Sequence, residues 1–309
     1  MLDEEGLRAL QERVQNPPSL DEALPASKEL VEALTPLAAE SPAKYQAQLA
    51  TAWKFRGVHL GLAEHQDEAE EAFATAADLF RGLATVTDPE SLFTFAISLI
   101  DLAEHRLKKQ DDDAVRRALE SIEEIRGLGE QLARDDATVA EDLQTHAARL
   151  HALALHRLGD HPAAIEQAER AHRGLTRMER RDPEARVLTA ENLRTLGMSL
   201  SEVNRFKDAR KRLEDSRYLF RRLAKREPEL FLVEHALVTL AIAAIYLKEG
   251  KMTRAASYHE AAADLYRDAA RLDPALHDEY RETVASLLEL YRVEGDARSA
   301  ERLTRRHSS

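Results

Sequence analysis

The 309-residue sequence predicts an all-α array of helical hairpins, and three observations carry that prediction. Composition comes first. Hydrophobic residues make up 44% and charged residues 32%, while Gly and Pro number only 11 and 10. Alanine, leucine, arginine and glutamate dominate, all of them helix formers. The second observation is a recurring break. Marks at Pro18, Glu64, Lys109, Gly159, Asn204, Gly250 and Gly295 are separated by 46, 45, 50, 45, 46 and 45 residues. Five residues after each mark stands an alanine: Ala23, Ala69, Ala114, Ala164, Ala209, Ala255 and Ala300. The third is a proline series behind a serine or an acid, at Ser41-Pro42, Asp88-Pro89, Asp182-Pro183, Glu227-Pro228 and Asp273-Pro274. Proline fits the first helical turn because its missing N–H would be unpaired there anyway, and the residue before it can cap the new helix. The missing member of the series falls near Asp135-Asp136.

Two breaks per period of about 45 residues give two helices per repeat. First helices are expected near 42–63, 89–108, 136–157, 183–202, 228–248 and 275–293. Second helices are expected near 67–86, 112–134, 161–180, 206–226, 252–271 and 296–306. An opening half-repeat covers 3–40, with Pro25 and Pro36 expected to disturb its second helix. The five extra residues of the long period lie near 127–136. The clearest hairpin runs from Leu188 to Phe220. Alanine at the start of each second helix has a steric cause: two antiparallel helices joined by a short turn approach closely there. Seven residues before each break stand Gly57, Leu102, Ala152, Gly197, Ala243 and Leu288, four of the six small. With no flexible linker, 1–309 reads as one repeat domain. It has a half-repeat 1–41, repeats near 42–88, 89–135, 136–182, 183–227 and 228–273, and a C-terminal partial repeat 274–309. The last helix is polar enough to serve as a cap.

Composition also excludes. The absence of cysteine rules out disulfides, zinc–thiolate sites and thiol catalysis. No apolar run is read as approaching the roughly 20 residues that span a bilayer. The start, MLDEEGLRALQERV, is acidic and amphipathic rather than a signal peptide, so the expected location is cytoplasmic. Arginine outnumbers lysine, as in high-GC bacterial genes. The net charge of −12 is uneven: residues 1–140 carry −14 and residues 141–309 carry +2. Between Arg170 and Arg226 there are 17 basic and 8 acidic residues. The total argues against general nucleic-acid binding, while the local excess keeps it open.

No catalytic motif is present: neither phosphate-loop nor dinucleotide fingerprint, neither nucleophile elbow nor H-E-x-x-H. The sequence therefore predicts no enzyme, no cofactor and no metal. His146, His151, His156 and His161 recur every five residues. On a helix that spacing turns neighbours apart by about 140°, which prevents one ligand face. Asp111-Asp112-Asp113 sits at a helix start, where capping explains it better than calcium.

The hairpin pattern resembles the tetratricopeptide repeat. Trp53 stands four before Gly57, Leu196-Gly197 repeats the leucine–glycine pair, and Tyr246 and Tyr291 take the next large position. Gly159, Gly250 and Gly295 are the turn glycines, and Phe73 is a late aromatic. The resemblance covers almost the whole chain but departs in length, since the ordinary unit has about 34 residues. Longer units look like the arrays of bacterial signalling ATPases and kinesin light chains. HEAT and armadillo repeats are the alternative, with periods of roughly 40–47, but they do not predict the small-residue pair at the hairpin. The resemblance implies a right-handed α-solenoid of about seven antiparallel hairpins whose first helices line a concave groove.

By register, that groove receives Lys54 and Val58, then Leu99, Ala103 and Arg106. Next come His146, Arg149, Leu153, His156 and Arg157, then Glu191, Arg194, Met198 and Glu202. The fifth repeat gives Leu237, Leu240, Ala244 and Lys248, and the sixth gives Glu282, Glu289 and Arg292. The carboxylate-clamp subtype is not expected, because Val58, Ala103, Leu153 and Met198 stand where it needs asparagine. The middle of this groove is basic, and arginine forks suit carboxylates. The expected function is a non-catalytic scaffold or sensor that holds an acidic or amphipathic peptide, with Arg149, Arg157 and Arg194 as anchors. A different class remains open. Arg173, Arg177 and Arg181 share a stripe with Arg170 on one second helix, and Arg210, Arg217, Arg221 and Lys225 do so on the next. Such faces point outward and could meet nucleic acid, although interleaving aromatics are almost absent. A sensor arm of a larger signalling or defence assembly is a third reading.

Overall fold

The computed structural model describes residues 3–84, 88–109 and 111–307. Among these it contains fourteen α-helices and no strand. They are α1 (Glu4–Gln15), α2 (Leu20–Glu40), α3 (Pro42–Leu62), α4 (Gln66–Leu83), α5 (Pro89–Arg106), α6 (Asp112–Leu132) and α7 (Ala137–Arg157). The second half adds α8 (His161–Arg181), α9 (Arg186–Glu202), α10 (Phe206–Ala224), α11 (Pro228–Lys248), α12 (Met252–Ala270), α13 (His277–Glu294) and α14 (Ala297–His307). The tail of the second helix expected at 67–86 falls partly outside the described residues, as do Met1 and Leu2 of the amphipathic start. Contacts divide the chain into two compact units, Met1–Leu158 and Gly159–Ser309.

Helix starts follow from capping. Asp88 and Asp182 accept from the backbone N–H groups of Glu90 and Glu184, and Asp273 accepts from Ala275. Asp136 does the same for Thr138 and Val139 without a proline. Asp111 caps α6 through Asp113 and Ala114. Ser41 and Glu227 make no side-chain cap, and there the proline alone sets the start. Before α9 and α13 the chain first makes a single 3₁₀ turn, Pro183–Ala185 and Pro274–Leu276. Those two α-helices therefore begin three residues after the cap-side proline. Tight turns of this kind are common at helix ends.

Five of the sequence breaks are the positive-φ residues of the fold: Glu64, Gly159, Asn204, Gly250 and Gly295. At four of them the next N–H reaches back to the helix just ended, from His65 to Leu60, Arg205 to Leu200, Lys251 to Tyr246 and Asp296 to Tyr291. This six-to-one bond is the Schellman closure, which needs a left-handed residue inside it. Glycine takes that conformation freely, whereas Glu64 carries strain.

The small residues are where helices meet. Ala23, Ala69, Ala114, Ala164, Ala209 and Ala255 are buried, while Ala300 is only half-buried in the terminal hairpin. A Cβ on Gly197 would lie 2.6 Å from Leu213 Cγ and 3.2 Å from the Ala209 carbonyl. One on Gly57 would lie 3.0 Å from the Phe73 ring. The core of the first unit runs through Phe73, Leu99, Ile122, Ile125, Leu143 and Leu150, with a second cluster among α1, α2 and α3. In the second unit Leu196, Leu200, Leu213, Phe220 and Ile242 are almost fully enclosed.

Two expectations are corrected. Helix α2 is continuous through Pro25 and Pro36. Both rings are exposed, so each costs one backbone bond on the solvent side, where a helix already bends outward. The opposite face still buries Ala23, Ala26, Leu30, Leu34 and Ala38. The second correction concerns apolar runs. Helix α11 has 21 residues and a window of mean hydropathy 2.1, long and apolar enough to cross a membrane. Only 39% of that window is buried. It nonetheless carries Glu234 in an ion pair and packs between α10 and α12.

Candidate functional site

Within each unit the first helices of successive hairpins approach one another. Contacts recur between α1 and α3, α5 and α7, and α9 and α11. Second helices are linked instead by long side chains, as in Glu70–Arg117, Arg81–Glu124 and Tyr258–Glu214.

Most of the charged residues that the sequence assigns to a groove have partners on neighbouring helices. Lys54 Nζ lies 2.7 Å from Asp101 on α5. Asp101 is pulled two ways: burial raises its carboxyl pKa and the Lys54 ammonium lowers it, with burial prevailing. Arg149, 6% exposed, donates to Glu104 on α5. Arg157 donates to the Leu107 carbonyl. In the second unit Arg194 bonds Glu234 on α11 and sits 5.8 Å from the Phe220 ring, and Lys248 lies 2.8 Å from Glu202 on α9. Lys54–Asp101, Arg149–Glu104, Arg194–Glu234 and Lys248–Glu202 thus join first helices of adjacent repeats. The three arginines read as ligand anchors are staples between helices. Glu191, His156 and Met198 are half-buried beside them.

Arg106 belongs to a different structure, a charge knot among α4, α5 and α6. Its Nε lies 3.0 Å from Glu70, and its Nη1 donates to the Arg117 carbonyl and the Ser121 hydroxyl. Lys109 and Arg117 bond the same Glu70 at 2.7 and 3.1 Å. Burial alone would raise the Glu70 pKa, but hydrogen bonds from Lys109, Arg117 and Arg106 outweigh it and bring it down to about 2. This knot escaped sequence reading because its cations lie 36 to 47 residues from Glu70.

His146 is half-buried, and burial, with Arg149 against it, lowers its pKa to about 4. His151 lies 3.1 Å from Arg126. Among the described residues no three His, Asp or Glu side chains are grouped to hold a metal.

The outward basic stripe divides in two. Arg173, Arg177 and Arg181 on α8 are exposed, as are Arg221 and Lys225 on α10. Arg210 and Arg217 are instead drawn into an aromatic ladder. Arg210 bonds Glu249 and covers Tyr246 at 5.4 Å, while Arg217 pairs with Glu214 and covers Tyr258 at 5.5 Å. Tyr246 and Tyr258 stack at 5.4 Å. Burial and the bond to Glu214 push the Tyr258 hydroxyl up to about 12. Tyr218, 49% exposed, lies under both Arg221 and Arg222.

One stripe of α11 is apolar and uncovered. Leu230 and Leu237 on α11 are 63% and 39% exposed, and Leu240 and Ala244 continue the same stripe. Beside it, a cavity of about 220 Å³ is lined by Leu240, His259, Tyr266, Glu279, Glu282, Thr283 and Ser286.

No family model matches the sequence, and no curated protein matches it. Solved structures do match. A signal-transduction ATPase with a tetratricopeptide repeat sensor from Pyrococcus horikoshii aligns with 97% of this chain at 12% identity and a TM-score of 0.56. This chain spans 40% of that protein. A Rap protein complexed with Competence and Sporulation Factor is similar over 97% of this chain and 83% of its own, at 12% identity and a TM-score of 0.54. NprR in complex with its cognate peptide NprX matches over 100% and 78%, at 14% identity and a TM-score of 0.54. The fold is that of the tetratricopeptide-like helical arrays.

Proposed function

We propose that this chain, a tetratricopeptide-like helical array, is a non-catalytic module that binds a peptide or an extended protein segment on the inner face of its first helices. The observation that carries the reading is the uncovered stripe on α11. A helix apolar on all sides is ordinarily enclosed, yet Leu230 and Leu237 face solvent. An apolar strip rimmed by polar residues is the usual form of a docking site. Two proteins of the same fold, Rap and NprR, were solved in complex with Competence and Sporulation Factor and with a cognate peptide, which supports the class of ligand.

The arginine staples alter the mechanism expected from sequence. A peptide carboxylate would have to displace Glu104 from Arg149 or Glu234 from Arg194. The incoming carboxylate would gain from the arginine only about what the displaced glutamate loses. The staples instead hold neighbouring first helices in register, and recognition falls to the exposed apolar and polar side chains between them. Selection of a displayed random-peptide library on the immobilised chain tests this. Enrichment of peptides that no longer bind Leu237→Asp supports the reading, and enrichment of none overturns it.

A second reading has one observation in its favour. Tyr218, flanked by Arg221 and Arg222, supplies an exposed ring within the outward basic face. Stacking plus phosphate contacts would suit single-stranded nucleic acid. A mobility shift that persists at physiological salt and is lost in Tyr218→Ala would establish it.

A further inference from the structure

The cavity beside α11 has a floor, an apolar wall and an acidic rim. His259 and Tyr266 come from α12, Leu240 from α11, and Glu279, Glu282, Thr283 and Ser286 from α13. Glu279 and Glu282 are exposed and have no ion pair among the described residues. That separates them from Asp278 and Glu289 on the same helix, which pair with Arg281 and Arg292. Arg194, the cation that acts on Tyr266, is already bonded to Glu234. Burial first, then Glu279 and Glu234, raise the Tyr266 hydroxyl against the opposing Arg194. Burial lowers the pKa of His259 against the opposing bond from its Nδ1 to the Ala255 carbonyl.

From this we infer that the α11–α13 face recognises a cationic amphipathic peptide, one Lys or Arg entering the cavity and aliphatic side chains lying along Leu230, Leu237 and Leu240. The inference rests on the peptide-binding reading and reverses the charge that the sequence assigns to the ligand. Each part of the cavity has a task for that occupant. Glu279 and Glu282 meet the cation, as charge-assisted acceptors. The tyrosine ring offers a flat apolar surface to its methylene stem. The α11 stripe buries the flanking aliphatic residues, spaced three and four apart as a bound helix presents them. An anionic peptide would meet two uncompensated carboxylates at the same point, and like charges there oppose binding.

The test is the sequence content of the selected peptides, followed by titration of one of them against the full chain. Peptides that combine Lys or Arg with Leu, Ile or Val are expected. Their dissociation constant should rise about tenfold in Glu279→Gln/Glu282→Gln, as for loss of a desolvated charge pair, with an unchanged circular dichroism spectrum. Acidic peptides that bind the inner face, or basic ones indifferent to the double substitution, overturn this inference and leave the peptide-binding reading standing. If no selected peptide depends on Leu237, that reading falls as well.

Discussion

At the junction of α4, α5 and α6, three cations converge on one carboxylate, Glu70. On the α11–α13 face, two carboxylates line a cavity and have no ion pair among the described residues, beside leucines that face solvent. Both regions are built from the same hairpin and the same residue types. In the first, charge is spent on joining helices, so its loss is a loss of stability. In the second, charge and apolar area are left open, so their loss is a loss of binding. The contrast shows that a basic count along a repeat helix does not identify a basic surface. What matters is whether an acid one repeat away reaches it.

The largest effect that could break the comparison is at the knot. Glu70→Ala leaves Arg106, Lys109 and Arg117 without their common acceptor and should destabilise by about 3–5 kcal/mol in urea unfolding. Glu282→Ala should stay within about 0.5 kcal/mol of wild type, as an exposed site does. Equal losses at the two sites would erase the distinction drawn between them.

Acidification comes next. His146 and His235 are neutral in the fold, each with its pKa brought down to about 4 by burial and nearby arginines. The unfolded chain takes up those protons below about pH 6.5, so stability is full above that value and declines as pH falls toward 4. Each histidine contributes about 1–3 kcal/mol to that decline. Replacing either by Gln should flatten the slope of unfolding free energy between pH 6.5 and 4. Glu70 adds a lower window: its stabilisation is complete above its unfolded pKa of 4.5 and is lost as pH falls through about 2. Glu70→Gln should remove this window without touching the upper one.

Smaller again are the hairpin contacts. Gly197→Ala sets a methyl against both Leu213 and the Ala209 backbone and should cost about 1–3 kcal/mol. Gly57→Ala meets only the Phe73 ring, which can tilt, and should cost less. The smallest effect has the opposite sign. Glu64→Gly relieves a left-handed φ of 63° and should raise stability by about 1 kcal/mol. Asn204→Gly, at φ 60°, should gain less because asparagine tolerates that region.

These cases also mark what the sequence could tell. Hairpin turns were legible because the left-handed closures at Gly159, Gly250 and Gly295 demand glycine, and helix starts because Asp88, Asp182 and Asp273 sit before proline. The close approach at Gly197 was legible for the same steric reason. Partnership was not. Asp101, Glu104, Glu202 and Glu234 lie 40 to 47 residues from the cations they hold, and composition alone cannot join them. Pro25 and Pro36 looked disruptive because their exposure is set by packing rather than by neighbours in sequence. The apolar stripe of α11 was named by register as Leu237, Leu240 and Ala244, but only its burial reveals that it is uncovered.

Recognition on the face of α11 and recognition by the arginines of α8 make opposite demands on two variants. They are separated by calorimetric titration of one selected peptide into the wild-type chain, Leu237→Asp and Arg177→Glu/Arg181→Glu. Recognition on α11 requires that Leu237→Asp weaken binding at least about tenfold while the arginine variant matches wild type. Undiminished binding in Leu237→Asp, with loss in the arginine variant, would contradict it.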